Sequence, residues 1–297
     1  MNWLGFALIG YFLNSVVSLT DKFFLTQRAT TNPVVYTFYV GILSIFALIL
    51  APFGLKWFGL NQFLTALLAG ALFLTALFYL FRALDVNEAS RVFPIVGGLT
   101  PILILVLSFI FLNERLILKQ IFAFFLLVSG GALITLKPSV KGVLIKGIRF
   151  IGLAILFGAA SLVLTKYVFI NQGFISGFIW TRIGIFLTAL LFLIPERWRE
   201  AIIMGGKESK GGLSLFLVSN KALAGFASLF INFAVSQGSV SLVNALSGMQ
   251  YAFLFVLAIL LSKKFPFILK EKISGVIIGQ KISAILLIGA GLFILKI

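Results

Sequence analysis

Long apolar runs separated by short polar or charged gaps follow one another along the whole chain. A helix that crosses a bilayer needs about 20 mostly apolar residues. Ten stretches come close to that length, and the predicted spans are 3–20, 34–54, 63–82, 92–112, 119–136, 150–169, 174–194, 214–236, 240–262 and 277–296. The pattern therefore predicts an all-α integral membrane protein with about ten transmembrane helices.

The first five spans match the last five in the order and spacing of their small and polar residues. Gly41 precedes Pro52 by the same spacing that separates Gly184 from Pro195. Other matching pairs are Leu19-Thr20 with Leu164-Thr165, Ser90 and Gly97 with Ser241 and Gly248, and Gly130-Gly131 with Gly289-Ala290. Because five is odd, the second set must cross the membrane upside down. We predict two inverted five-helix repeats, 1–137 and 150–297, joined by a connector, 138–149, as in many secondary transporters.

Composition supports the membrane assignment and removes several kinds of chemistry. Hydrophobic residues make up 61% of the 297 residues and charged residues only 11%, against roughly 25% charged in soluble domains. The sequence has no cysteine and no histidine, which excludes disulfides, thiolate chemistry and Cys/His zinc sites. We predict no metal, no other cofactor and no enzymatic activity.

The net charge of +16 does not indicate nucleic acid as a partner, because the basic residues lie in short gaps between apolar runs. Such residues are typical of membrane-flanking anchors that contact anionic lipid headgroups. Of the 24 basic residues, 17 lie at connectors after odd-numbered spans. Five lie on the other side: Lys56, Arg115, Lys119, Lys166 and Lys296. The positive-inside rule then predicts that both termini are outside the cell.

One stretch of the first half resembles a known family. Its motifs are Arg82-Ala83-Leu84, Ala89-Ser90, Leu99-Thr100-Pro101, Leu112-Asn113-Glu114-Arg115-Leu116, Gln120 and Gly130-Gly131. They are similar to the pattern of the drug/metabolite transporter superfamily, in particular its EamA-domain members. The resemblance covers the whole chain, with one copy of the pattern in each half. In the second half, Gln250-Tyr251-Ala252 and Ser262-Lys263-Lys264 depart from the pattern. It implies ten helices in two repeats, transport of small metabolites and, against the residue count, cytoplasmic termini.

Arg182 is the charged residue that stands out, because it lies near the middle of the span 174–194. An unpaired charge at that depth costs about 2.5–3.5 kcal/mol on insertion scales, so the side chain should face the protein interior. We hypothesise that it binds an anionic group such as a carboxylate. The alternative is that it ties helices together through backbone carbonyls. The resemblance also places an arginine here, and Tyr39 is its equivalent in the first repeat.

Uncharged polar residues within the spans are further candidates for contact with a substrate. With Arg182 and Tyr39, the candidate set is Asn14, Asn232, Asn244 and Gln250. Each could instead form a hydrogen bond between helices. No acidic residue lies in the middle of a span, which disfavours proton-coupled cation efflux through a buried carboxylate. Pro94 and Pro101 are predicted to kink the fourth span.

These patterns together predict a secondary transporter in the cell membrane, with a small polar metabolite as its substrate. It would work by alternating access as a monomer or homodimer, and the family resemblance favours export. Three alternatives remain at this stage: a flippase for a lipid-linked carrier, a membrane-embedded lipid-modifying enzyme, and a pore. The inverted repeat favours alternating access over a pore, and the short connector at Asp85 and Glu88 is a weak basis for an enzyme.

Overall fold

The computed structural model describes residues 2–25, 32–136, 146–208, 215–262 and 275–296. Within these ranges the chain forms α-helices, one 3-10 helix and short connections, with no strand. The α-helices are α1 (Asn2–Leu25), α2 (Pro33–Leu43), α3 (Leu60–Val86), α4 (Ala89–Leu112), α5 (Leu118–Thr135), α6 (Ile148–Gln172), α7 (Phe174–Leu191), α8 (Glu196–Glu208), α9 (Leu215–Gln237), α10 (Val240–Ala245), α11 (Gly248–Ser262) and α12 (Gly275–Lys296). The 3-10 helix, Ser44–Phe53, continues α2.

Nine helical stretches of the described chain are long and apolar enough to cross a membrane. They are α1, α2 with its 3-10 continuation, α3, α4, α5, α6, α7, α10 continued by α11, and α12. The prediction of an all-α, multi-pass membrane protein is confirmed at this level. The predicted span 214–236 also forms a helix, α9, but α9 is not one of the nine.

Local sequence signals explain several helix ends. The Asn32 side chain accepts a hydrogen bond from the Val34 backbone N–H at 3.0 Å, and Pro33 occupies the first turn of α2, as is common at helix starts. Asn113 adopts a left-handed conformation (φ 55°) and ends α4. Gly173, with φ 72°, forms the turn between α6 and α7. A left-handed residue allows a sharp reversal at the end of a helix.

Three features depart from a simple succession of straight spans. The second predicted span changes from α- to 3-10 geometry at Ser44. The ninth is interrupted at Leu246 and Ser247, between α10 and α11. The charged stretch 196–213, predicted as a gap, forms the polar helix α8 over its described part. In contrast, α4 continues as one α-helix from Ala89 to Leu112, through both Pro94 and Pro101.

The helices pack mainly across the two halves of the chain. Helix α1 contacts α9 and α11, α3 contacts α6 and α7, α4 contacts α6 as well as α5, and α5 contacts α12. Glycines bring several of these pairs unusually close: a Cβ added at Gly70 would lie 2.2 Å from the Thr181 carbonyl oxygen. Small residues permit such backbone contact between membrane helices. Helices α3, α6, α7 and α9 surround the cavity described next.

Candidate functional site

Arg182 is held in place by the close packing of α7 against α3. Gly184 contributes from the α7 side, since a Cβ there would lie 2.5 Å from the Leu67 carbonyl oxygen. The hydroxyl of Ser44 donates a hydrogen bond to the backbone carbonyl of Arg182 at 2.9 Å. The backbone that carries Arg182 is therefore fixed by α3 on one side and by the 3-10 helix on another.

The guanidinium of Arg182 contacts a hydroxyl and two aromatic rings. Its Nη2 donates a hydrogen bond to Ser228 Oγ on α9. The guanidinium carbon lies 4.7 Å from the ring centre of Phe178 and 6.0 Å from that of Phe73, within the range of cation–π attraction. Asn232 Nδ2 donates to the Ser228 carbonyl oxygen at 2.8 Å and approaches Ser228 Oγ at 3.3 Å. Arg182, Ser228 and Asn232 thus form one polar cluster.

This cluster borders a small cavity of about 60 Å³ between α3, α6, α7 and α9. Since one ordered water needs roughly 10–15 Å³ of such cavity volume, the cavity has room for a few waters or for one small polar group. Its polar lining residues are Ser161, Thr165, Thr181, Arg182, Ser228 and Asn232. No carboxylate belongs to the lining formed by the described residues.

The charge of Arg182 is not neutralised by any acidic residue in the part of the chain that the structure describes. There, its hydrogen bond to Ser228 uses one of the five N–H donors of the guanidinium. Four donors remain for a ligand or for water in the cavity. The predicted alternative is that Arg182 ties helices together through backbone carbonyls. Arg182 does link α7 to α9, but through the Ser228 hydroxyl, and its other described contacts are the two rings. The arrangement suits an anionic group, which would be bound by a positive charge and several hydrogen-bond donors.

The structure brings together two of the six predicted site residues, Arg182 and Asn232. Tyr39 is 41% exposed and contacts the ring of Phe38, away from the cavity lining. Gln250 Nε2 donates to Ser18 Oγ at 3.0 Å, a bond between α11 and α1.

The remaining two predicted residues are half-buried and also lie outside this lining. Asn14 is on α1, and Asn244 is on α10, where its backbone carbonyl accepts the Ser247 N–H at 2.9 Å. The predicted set therefore divides into an Arg182 cluster and residues that lie elsewhere.

Sequence reasoning missed Ser228, Ser161 and Thr165 as site residues. Their spacing was a usable signal, because Ser161 and Thr165 lie four residues apart on α6. Ser228 and Asn232 have the same spacing on α9. Residues four apart lie on one face of a helix. Two such polar pairs therefore mark the faces of α6 and α9 that line the cavity.

Comparison with known proteins identifies the fold but no family. No protein-family model matches the chain, and no curated protein matches it. The fold matches 25 chains of solved structures. One, described as "Crystal structure of protein", aligns with a TM-score of 0.66 and 17% sequence identity, covering 99% of this chain and 96% of that chain. The likeness covers nearly the whole chain and, at this identity, concerns the fold alone.

Proposed function

We propose that the protein is a secondary transporter related to the EamA-domain drug/metabolite transporters, and that its substrate is a small polar metabolite with an anionic group. The observation that carries the proposal is Arg182. Its guanidinium lies between membrane helices, beside a cavity whose described lining has no carboxylate, with donors unused by the described protein. Ionisable groups within membrane helices usually serve function, because their insertion is costly.

The pattern of helix contacts supports two inverted five-helix repeats. In such repeats α6 is equivalent to α1, α9 to α3, and α11 to α4. The contact of α1 with α9 then has a counterpart in the contact of α6 with α3, and that of α4 with α6 has one in α11 with α1. Contacts that recur when the halves are exchanged favour a two-fold relation, with a substrate site between the halves.

The packing of α5 against α12 supports the same relation at the level of single residues. Gly130 packs on Ala284, and Gly291 packs on Ala123. An offset of 161 residues converts either contact into the other. The sequence match of Gly130 with Gly289 lies two residues from this register. Reciprocal contacts between equivalent positions are what a two-fold axis between α5 and α12 would produce.

In the proposed cycle, one repeat rocks against the other and exposes the Arg182 cavity to each side of the membrane in turn. Export across the cell membrane follows from the family resemblance. The contact geometry is compatible with either direction. The anionic group of the substrate would cross the membrane while paired with the Arg182 guanidinium. This pairing lowers the cost of burying both charges.

Binding in detergent tests the proposal. We would measure the thermal stability of the purified protein with organic acids, amino acids, sugar phosphates, nucleosides, lipophilic cations and lipid-linked carriers. We expect an anionic or zwitterionic compound to stabilise the wild type. Arg182→Ala should abolish the effect, and Arg182→Lys should weaken it at least about tenfold, because lysine lacks the planar fork of donors. Uptake of the same compound into proteoliposomes would then measure transport.

The matched control is Arg199→Ala, which removes an exposed arginine paired with Glu196 on α8 and should leave binding unchanged. Ser228→Ala should weaken binding less than Arg182→Ala, because it removes a positioning hydroxyl and retains the charge. Stabilisation by cations alone would contradict the proposal. So would normal binding by a folded Arg182→Ala variant. Stabilisation by lipid-linked carriers alone would instead favour the flippase alternative.

A further inference from the structure

The turn between α9 and α10 is held by a lysine from α6. Lys166 Nζ donates hydrogen bonds to the carbonyl oxygens of Val235 (2.9 Å), Ser236 (3.1 Å) and Gly238 (2.9 Å). An ammonium has three N–H donors, so these carbonyls satisfy all of them. A cation is also favoured at the C-terminal end of a helix, where the carbonyls lack helical partners. Lys166 therefore fixes the end of α9.

A carboxylate from the first half of the chain holds the other side of the same turn. Glu114, which follows α4, accepts hydrogen bonds from Ser239 Oγ and from the backbone N–H groups of Val240 (3.2 Å) and Ser241 (3.5 Å). Hydrogen bonds to an ionised group are roughly twice as strong as neutral ones. Residues 235–241, called here the α9–α10 turn, thus lie between a positive and a negative side chain.

The α9–α10 turn lies at the face of the bundle where α1 begins, called here the N-terminal face. The ring of Trp3 packs directly on Gly238, where a Cβ would lie 2.6 Å from the Trp3 ring. The turn is also linked to the cavity through α6, because Thr165 lines the cavity and the next residue, Lys166, bonds to the turn. Helix α6 therefore connects the cavity to this turn.

We propose that Glu114 is the gate residue that closes the N-terminal face of the transport path, and that Lys166 is the positioning residue that presents the α9–α10 turn to it. The inference rests on the proposed function. Glu114 belongs to the first repeat, whereas Lys166 and the turn belong to the second. Opening this face by rocking must therefore break the Glu114 contacts, while the Lys166 contacts move with the second repeat.

One described connection on the opposite face uses only neutral hydrogen bonds. There the connection between α3 and α4 is fixed by Asn87, whose Nδ2 donates to the Lys146 carbonyl oxygen at 2.7 Å. Its Oδ1 accepts the Lys146 N–H at 3.1 Å. These bonds are neutral and exposed, whereas those of Glu114 are charge-assisted and partly buried. Of these two described connections, the one on the N-terminal face therefore has the stronger hydrogen bonds.

Because the chain has no cysteine, one introduced cysteine can report access to the cavity. Ser161 lines the cavity and is 2% exposed, so Ser161→Cys should react slowly with a polar maleimide in nanodiscs. Adding Glu114→Gln should speed the reaction at least about tenfold, the factor expected from losing one charge-assisted hydrogen bond. Glu200→Gln, which changes an exposed acid on α8, should leave the rate unchanged.

Lys166 is tested in the same Ser161→Cys background. Lys166→Met should also speed the reaction, and Lys166→Arg, which retains a cation with several donors, should stay near the parent rate. A merely structural lysine would lower stability in both variants without this difference in access. An unchanged rate in a folded Glu114→Gln variant would overturn the gate.

A cross-link tests the gate without relying on the stability of Glu114→Gln. In the double variant Glu114→Cys and Ser239→Cys, oxidation by copper phenanthroline should join the repeats and stop proteoliposome uptake, and a reductant should restore it. Uptake that continues in the oxidised protein would refute the gate. The labelling experiment needs no substrate. Failure of labelling with intact Arg182-dependent binding would therefore reject the gate alone, whereas loss of binding with intact labelling would reject the transport proposal.

Discussion

At the scale of single residues, polar side chains repair the backbone where a helix is interrupted. At the break between α10 and α11, the Ser247 N–H bonds to the Asn244 carbonyl at 2.9 Å, one residue closer than in an α-helix. The Val243 carbonyl thereby loses its helical partner. The Tyr11 hydroxyl donates to it at 2.8 Å, in a buried bond between α1 and α10. Tyr11 thus stabilises the interruption from the other half of the chain.

Tyr11→Phe should lower the free energy of unfolding by about 1–3 kcal/mol, because a buried carbonyl would be left without a donor. Thermal unfolding in detergent would measure the change. Tyr39→Phe is the matched control, since it removes the same hydroxyl from a side chain that is 41% exposed. Equal stability losses in the two variants would show that the Tyr11 bond does not support the break.

The sequence made Arg182 visible as a candidate because a lone charge stands out within an apolar run. It could not reveal Ser228, which lies 46 residues away, since that contact depends on how α7 and α9 pack. Glu114 and Ser239 are separated by 125 residues for the same reason. Lys166 was grouped with the membrane-flanking residues, whereas its ammonium binds carbonyls at the end of α9.

At the scale of helices, close contact through glycines controls the packing of α5 against α12. Gly291→Ala should destabilise the protein by about 1–3 kcal/mol, the usual cost of overpacking a tight contact. The added Cβ would lie 2.8 Å from Leu127 Cγ and 3.1 Å from the Ala123 carbonyl oxygen. Gly289→Ala, on the same helix, would meet nothing within 4 Å. It should be neutral or slightly stabilising, because alanine favours helices.

Chemical or thermal unfolding of the two variants side by side would measure this difference. Equal effects from Gly291→Ala and Gly289→Ala would contradict the tight α5–α12 contact. The comparison isolates packing, because both substitutions add one methyl group to the same helix.

The existence of most helices could be predicted because apolar length is sufficient to indicate a span. Their internal irregularities could not. The break at Leu246–Ser247 and the start of the 3-10 helix at Ser44 coincide with hydrogen bonds to other helices, which no local pattern contains. Helix α8 was missed because its charged residues resemble those of a loop. Its Trp198 nevertheless packs on the rings of Phe78 and Phe192, a contact that no local pattern contains.

At the scale of the whole molecule, the two faces of the bundle differ in how their charges are used. The N-terminal face uses Glu114 and Lys166 internally, on the α9–α10 turn. On the opposite face the described residues include Arg82, Arg149 and Arg199, which belong to connectors after odd-numbered spans. The sequence predicts the same side for the other basic residues of these connectors. Since Lys166 is occupied with carbonyls, it no longer counts as a surface anchor, and the imbalance between the faces becomes larger than the sequence count.

This imbalance predicts the orientation of the protein in the membrane. Basic connectors are retained in the cytoplasm, so the face that carries them should be cytoplasmic and the N-terminal face should lie outside. A C-terminal reporter that is active only in the cytoplasm should then be inactive when fused to this chain, and a reporter active only outside should work. The opposite pair of signals would support the cytoplasmic termini implied by the family resemblance. The Glu114 gate would in that case close the cytoplasmic mouth, with its contacts unchanged.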